Sequence, residues 1–393
     1  MQSLKTPLTL PCGVTLKNRL AKSAMSDSLA DGKGNPSDAQ VHLYHRWAKG
    51  GGALSIIGEV QGRPEYLEAP GNLVLNGTSQ AAKFQALAKA ADMDGHQLWL
   101  QLGHAGALSH EHLGKRRGPS ALDLPALKCD ALTRDEIAQL PNEMAATAQR
   151  AQALGFKGVE VHAGHGFLFS QFLSPLFNQR TDPYGGAIEN RVRVIVDTIS
   201  AIRKAVGPSF PIALKINSSD QLEGGLREAD SLDAITILNA TSLDLIDISG
   251  GTYFPGAKAS SDAAGGGPYF IAFAERAKKR TTIPLMVTGG FKTLDQATSA
   301  VASNAADMIG MARSFVIDPD LGQHWLAGEN PAPAFPKFAK TVPGGVTAWY
   351  TMRITAIAEG REDDFNLDLE QALQVYAARD KVRETIWSRH FSA

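Results

Sequence analysis

The stretch TRDEIAQLPNEMAATAQRAQALGFKGVEVH, residues 133–162, holds two elements in series. Up to Gly155 it is an amphipathic segment of helical length with Thr133 placed as its cap, and KGVEVH (157–162) is a short β-rich run. The same alternation recurs along the chain. LSIIGEV (54–60) precedes SQAAKFQALAKAADMDG, and QLWLQL (97–102) precedes, after a polar insertion, the helical segment just quoted. PIALKI (211–216), LDLIDIS (243–249), PLMVTG (284–289) and ADMIGMA (306–312) follow, each trailed by a helix-length segment. With RLAKSAM (19–25) as the first strand, the strands number eight. Parallel β/α units explain that alternation. Eight of them in about 320 residues predict a closed (β/α)8 barrel, a TIM barrel in the α/β class, rather than an open sheet.

Composition fits an enzyme-sized globular chain. The 393 residues are 44% hydrophobic and 20% charged, enough to bury a large core. Basic and acidic residues number 39 and 40, so no positive field exists to hold nucleic acid or an anionic membrane surface. Two cysteines, Cys12 and Cys129, make no cluster framework, and with no apolar leader or spanning run the expected location is the cytoplasm.

Residues 1–329 make the expected barrel domain. The insertions at 103–130 and 166–188 follow the third and fourth strands, on the carboxyl-end face where such barrels keep their chemistry. Residues 330–393 open on the linker NPAPAFPKF and end in a helical run, LDLEQALQVYAARDKVRETIW. This extension is expected to cover the barrel, as part of the same domain, or to reach a second subunit of a homo-oligomer.

His162 ends the fourth strand and His165 opens the turn after it, so both project into the barrel mouth. One histidine there would more often be satisfied by local backbone; two at a strand's carboxyl end favour function. Glu160 shares a strand face with His162, but no further cluster with ligand spacing joins them, so no metal is expected. VTGGF (287–291) and GMARSF (310–315) close the seventh and eighth strands, and those two loops build phosphate sites in many barrels. Arg313 adds a bidentate cation there. Gln101 and Lys215 point inward at other strand ends; Lys215 is a structural ion pair, a Schiff-base lysine or a cation facing a cofactor ring.

The run HAGHGFLFSQFLSPLFNQRTDPYGGAIENR (162–191) resembles the signature of the old yellow enzyme family, FMN-dependent NAD(P)H oxidoreductases and ene-reductases. LKNRLAKSAM, LWLQLGHAG, LKINSSD, ISGGTY, PLMVTGGF and GMARSFVIDPDL match in order, so the likeness spans roughly residues 5–325. The resemblance implies bound FMN, with Gly289, Gly290, Ala312 and Arg313 at its phosphate. Ala24, Met25, Ser26 and Val60 would surround the isoalloxazine ring, Gln101 would bond its pyrimidine edge, and Lys215 would stand beside N1 and the C2 oxygen. His162 and His165 would donate hydrogen bonds to the carbonyl of an α,β-unsaturated substrate, after NAD(P)H has delivered hydride to the flavin. The Asn, Arg and Asp residues of NQRTDPYGG would brace the loop.

Three positions depart from the family pattern. Phe167 stands where most relatives carry the tyrosine that protonates the substrate α-carbon, and Tyr253 is the candidate substitute. Ser26 and Ser28 replace a flavin-tuning cysteine and a pocket-shaping tyrosine; Ser28 and Phe167 are therefore expected to line the substrate side. The iron-sulfur cluster and added dinucleotide domain of larger relatives are not expected. Two other readings remain at this stage: a barrel aldolase or lyase using Lys215 as a Schiff base, and an FMN-binding scaffold without turnover.

Overall fold

The computed structural model describes residues 3–124, 127–254, 257, 267–338 and 342–391. Eight parallel strands build the barrel: β1 Leu20–Lys22, β2 Leu54–Gln61, β3 Gln97–Gly103, β4 Gly158–Ala163, β5 Ile212–Asn217, β6 Leu245–Ser249, β7 Leu285–Thr288 and β8 Met308–Met311. Each pairs with its sequence neighbours, and β8 pairs with β1, so the sheet closes. The expected (β/α)8 barrel is the observed fold, with every expected strand present. The largest difference lies in RLAKSAM, of which only Leu20–Lys22 joins the ladder.

Every residue of β2, β4, β5, β6 and β8 is buried. Parallel strands are covered on both faces, which is why they read as nearly unbroken apolar runs. Among the buried polar exceptions, Lys22, Glu59, Glu160, Lys215 and Asp247 are charged residues. At the amino end a hairpin, Leu8–Thr9 with Thr15–Leu16, sets Leu8, Leu10 and Leu16 against Leu54, Trp99 and Leu245.

Thr133 caps helix Arg134–Ala153 as expected, and it does so reciprocally: its hydroxyl accepts from the Glu136 N–H while the Glu136 carboxylate accepts from its own. The helix buries Ile137, Leu140, Met144, Ala148 and Ala151. Thr133→Ala should cost about 1 kcal/mol, read as a lower denaturation midpoint at unchanged slope.

Both insertions carry structure that the sequence pattern did not reveal. In the first, Arg117–Gly118, Leu122–Leu124 and Leu127–Ala131 form a three-stranded sheet. The second contains helix Leu168–Leu173, whose six residues are all buried. Less than two turns long, it shows no helical period; it is held by Gln171, which accepts from the Ala107 N–H and donates to the Ala105 and Gly166 carbonyls. Beyond it the bracing role expected of NQRTDPYGG is visible. Asn178 donates to Phe172 O and Tyr184 O, and Arg180 donates to Pro119 O and Leu132 O.

The carboxyl-terminal extension contributes helices Gly345–Ala358 and Leu369–Phe391. His42, on helix Asp38–Lys49, bonds Ala358 O at 2.8 Å. Trp387 packs beside Leu67 and Val74 from the segment after β2. Arg379 and Arg383 reach Ser28 in the loop after β1. Among the described residues no helix is long and apolar enough to cross a membrane.

Candidate active site

Cross-strand register assembles the centre of the site. His162 on β4 sits beside Lys215 on β5, which sits beside Asp247 on β6, while Glu160 on β4 sits beside Gln101 on β3. Lys215 is in ion-pair contact with Asp247 and lies 3.8 Å from Glu160. Gln101 Nε2 donates to Glu160 Oε1 at 2.7 Å. Asp247 also accepts from the Thr288 hydroxyl at 2.6 Å, and Thr288 lies 2.8 Å from the Ser23 hydroxyl. A polar belt thus crosses the barrel interior from β3 to β7 and on to β1. Burial alone would lower the Lys215 amine; Asp247 and Glu160 together outweigh it and hold the amine above the usual lysine value.

Above the belt stand the two histidines, their rings 5.3 Å apart and nearly perpendicular. The Gly164 N–H points at His162 Nδ1 (3.3 Å), which puts that ring's proton on Nε2. His165 has left-handed backbone, φ 58°, held by its N–H donating to Asn217 Oδ1; its Nε2 lies 2.8 Å from the Ser249 hydroxyl. Burial, then the nearby Lys215 charge, holds His165 down at about 3. Burial likewise drives His162 well below the usual histidine value, with His165 and Lys215 adding to it. Both rings are therefore neutral at pH 7 and keep one N–H each.

The loop after β6 docks onto this turn: the Tyr253 N–H donates to His165 O at 2.9 Å. The Tyr253 ring stands 5.8 Å from His165 and 6.0 Å from Phe167, and is 66% exposed to the space above them. Phe167 is buried, 4.9 Å from the His162 ring. Pro255 and Gly256 of the same loop lie outside the described residues.

The residues expected around a flavin ring converge in part. Ser26 bridges to Gly58, and a Cβ on Gly58 would stand 3.0 Å from Gln101 Oε1 and 3.1 Å from the Met25 nitrogen. A side chain at position 58 would press the chains bearing Ala24, Met25 and Gln101 apart by a few tenths of an ångström. Val60 is not part of that meeting. The ladder shifts register between Ile57 and Val60, and Val60 is fully buried in the main apolar core. Ser28, expected on the substrate side, is taken up by the extension: Arg383 Nη1 donates to its carbonyl at 2.6 Å and Arg379 Nη2 to its hydroxyl at 3.0 Å.

At the other side of the mouth Gly289 and Gly290 have positive φ, 125° and 83°, backbone that favours glycine. Ala312 precedes the short helix Arg313–Ile317, tied to the β7 loop by Ser314 Oγ donating to Phe291 O. The Arg313 guanidinium lies 5.0 Å over the Tyr350 ring and pairs with no carboxylate among the described residues, so its charge is available. Glycine turn, helix start and unpaired arginine suit a phosphate. The close-packed ring cradle and the buried lysine suit an isoalloxazine whose reduced form is anionic, so the residues fit FMN.

Sequence reading missed several members of this centre. Asp247 and Glu59 sit inside apolar strands, and a charge in such a run was the available signal. Glu59 Oε1 lies 3.5 Å from His162 Nε2. Burial, with Glu68 adding to it, raises Glu59 well above the usual carboxylate range, so the contact joins two neutral groups. Lys22 is fully buried, donates to Ser23 O and lies 4.2 Å over Trp47. Burial is the main reason its amine falls to about 7.

The family model of the NADH:flavin oxidoreductase / NADH oxidase family matches residues 3–329. The chain belongs to this family. The NADH-dependent flavin oxidoreductase iliE of Hypocrea jecorina is 32% identical, over 80% of this chain and 86% of that protein. An NADPH dehydrogenase of Bacillus velezensis is also 32% identical, over 81% of this chain and 92% of its own length. Among solved structures, a variant of morphinone reductase in complex with tetrahydroNAD superposes with a TM-score of 0.71 at 26% identity, covering 84% of this chain and 91% of that one. The protein is thus an FMN-dependent NAD(P)H oxidoreductase of the old yellow enzyme family.

Proposed function

We propose that this old yellow enzyme relative reduces the activated C=C bond of α,β-unsaturated carbonyl compounds, with FMN passing hydride from NAD(P)H to the alkene. The observation that carries the reading is the pair of neutral imidazoles, 5.3 Å apart at the carboxyl ends of the strands, above a buried lysine. A neutral imidazole N–H is a donor that meets negative charge as it develops on a carbonyl oxygen, without itself losing a proton.

His162 and His165 are the catalytic residues of this reading. Asn217 and Ser249 position His165 through its N–H and its Nε2. When FMN is bound, Gly289, Gly290, Ala312 and Arg313 would hold its phosphate, Gln101 would bond the ring's polar edge, and Lys215 would stabilise the charge that the ring gains on reduction. Phe167 has no proton to give. Tyr253, with its ring beside both Phe167 and His165, is the hydroxyl on that face and supplies the α-carbon proton. The lyase reading loses support because an ammonium pinned between two carboxylates is no nucleophile.

Anaerobic titration tests the proposal. The holoenzyme should bleach with NADH or NADPH and recover its colour with a cyclic enone; a reduced enzyme that no enone reoxidises would sink it. Tyr253→Phe should slow reoxidation by weakly activated alkenes about a hundredfold, and Phe167→Tyr should restore it, while maleimides change little. Unaltered reoxidation of Tyr253→Phe by every alkene would leave solvent as the proton source.

A further inference from the structure

Glu160 has no role in the reading above, yet it lies directly behind two of the residues assigned to the flavin. It is fully buried on β4. One oxygen accepts from Gln101 at 2.7 Å and faces the Lys215 ammonium at 3.8 Å. The other, Oε2, is buried and has no hydrogen-bond partner among the described residues. The remaining groups around it are fixed. Gln101 on β3 is an amide, Lys215 on β5 is committed to Asp247 on β6, and Asp247 is satisfied further by Thr288. His162 on the same strand and His165 are neutral, and Lys22 on β1 reaches the cluster only through its repulsion of Lys215. With every group ionised, the buried cluster holds two carboxylates against one ammonium. A further negative charge on a flavin over Gln101 and Lys215 would face this excess in a medium that screens poorly.

We propose that Glu160 is the proton acceptor that keeps this interior electrically balanced when the flavin is reduced in alkaline solution, taking up to one solvent proton on Oε2 for each hydride the cofactor receives. The step balances: NAD(P)H gives its hydride to FMN and leaves as NAD(P)+, the ring gains one negative charge, and the Glu160 carboxylate gains one proton and becomes the neutral acid. Gln101 can still donate to Oε1, and Lys215 is left facing Asp247 and the reduced ring. Glu160 acts through its neighbours and touches no reacting atom, so it is a charge-balancing residue. The inference rests on the function proposed above.

The pH window follows from the unreduced protein. Burial, offset in part by Lys215 and reinforced by Asp247, pushes Glu160 up to about 8. Below that value it already carries the proton and has none to take up; above it the carboxylate is free to accept one on reduction. The experiment is anaerobic reduction of the FMN-loaded protein by NADH in weak buffer with a pH-indicator dye, comparing wild type with Glu160→Gln. The excess uptake of wild type over the variant should be near zero at pH 6.5 and approach about one proton per FMN at pH 9. Equal uptake by both proteins at pH 9 overturns the inference, since the proton then goes elsewhere. If Glu160→Gln does not fold, wild type alone decides: no uptake at pH 9 refutes the idea, and uptake that Asp247→Asn abolishes while a carboxyl infrared band for Glu160 is missing refutes it too. A protein that never bleaches with nicotinamide fails on the function itself, a result distinct from bleaching without proton uptake.

Discussion

Replacing His162 and His165 together by alanine slows reoxidation of the reduced enzyme by a cyclic enone about a hundredfold or more, the scale of lost oxyanion donors. The size follows from the state in which the pair is held. Both rings are buried and neutral, one with its proton fixed on Nε2 by Gly164, the other braced between Asn217 and Ser249. Donors held in place by buried partners need little reorganisation as charge arrives, and water replacing them in the mutant must be ordered afresh. Reduction of the flavin by nicotinamide forms no carbonyl oxyanion, so that half-reaction should lose much less. Phenol binding, followed by its charge-transfer band, should vanish with the same pair. Stopped-flow measurement of the two halves separates the outcomes: equal slowing of both would mean that the histidines only hold the fold.

Lys215→Met lowers stability by about 3–5 kcal/mol at neutral pH, because it leaves buried carboxylates without their cation. Asp247 and Glu160 are both fully buried. Asp247 keeps only the Thr288 hydroxyl, and Glu160 only the Gln101 amide. Glu160 is already pushed up to about 8 by burial, with Lys215 holding it back, so loss of the ammonium raises it further. A group whose folded value is raised contributes stability that is full below the unfolded value and is lost as pH rises through the folded one. The penalty in Lys215→Met should therefore be smaller at pH 5 than at pH 8, and Lys215→Met with Asp247→Asn should be less damaged than Lys215→Met alone. Urea denaturation at the two pH values measures both effects; a penalty independent of pH would show that Lys215 contributes packing and not charge.

The barrel was legible because burial on both faces leaves strands such as PIALKI and LSIIGEV little freedom but to be apolar, and the helix between two of them announces itself at Thr133. The histidine pair was legible because two such residues ended one of those strands. What stayed hidden depends on distances across the sheet. Lys215 and Asp247 are 32 residues apart and meet through register alone. Val60 was set beside the flavin by likeness; the structure buries it in the core beyond a shift of register after Ile57, with Gly58 at the close approach. Nothing near Ser28 in sequence hints that Arg379 and Arg383 will bond it.

That last contact bears on how the molecule is made. Ser28 has left-handed backbone, φ 52°, which a serine seldom adopts unaided, and the groups that bond it lie 351 and 355 positions further along. Closing so long a loop is entropically expensive, and it comes late when a chain is built from its amino end. All eight barrel strands have been synthesised once Met311 is made, and the sheet can close as soon as that residue has emerged from the ribosome. The first loop of the mouth cannot reach its final shape until Arg383 has followed. A nascent chain stalled between those points would carry a finished scaffold and an unfinished rim.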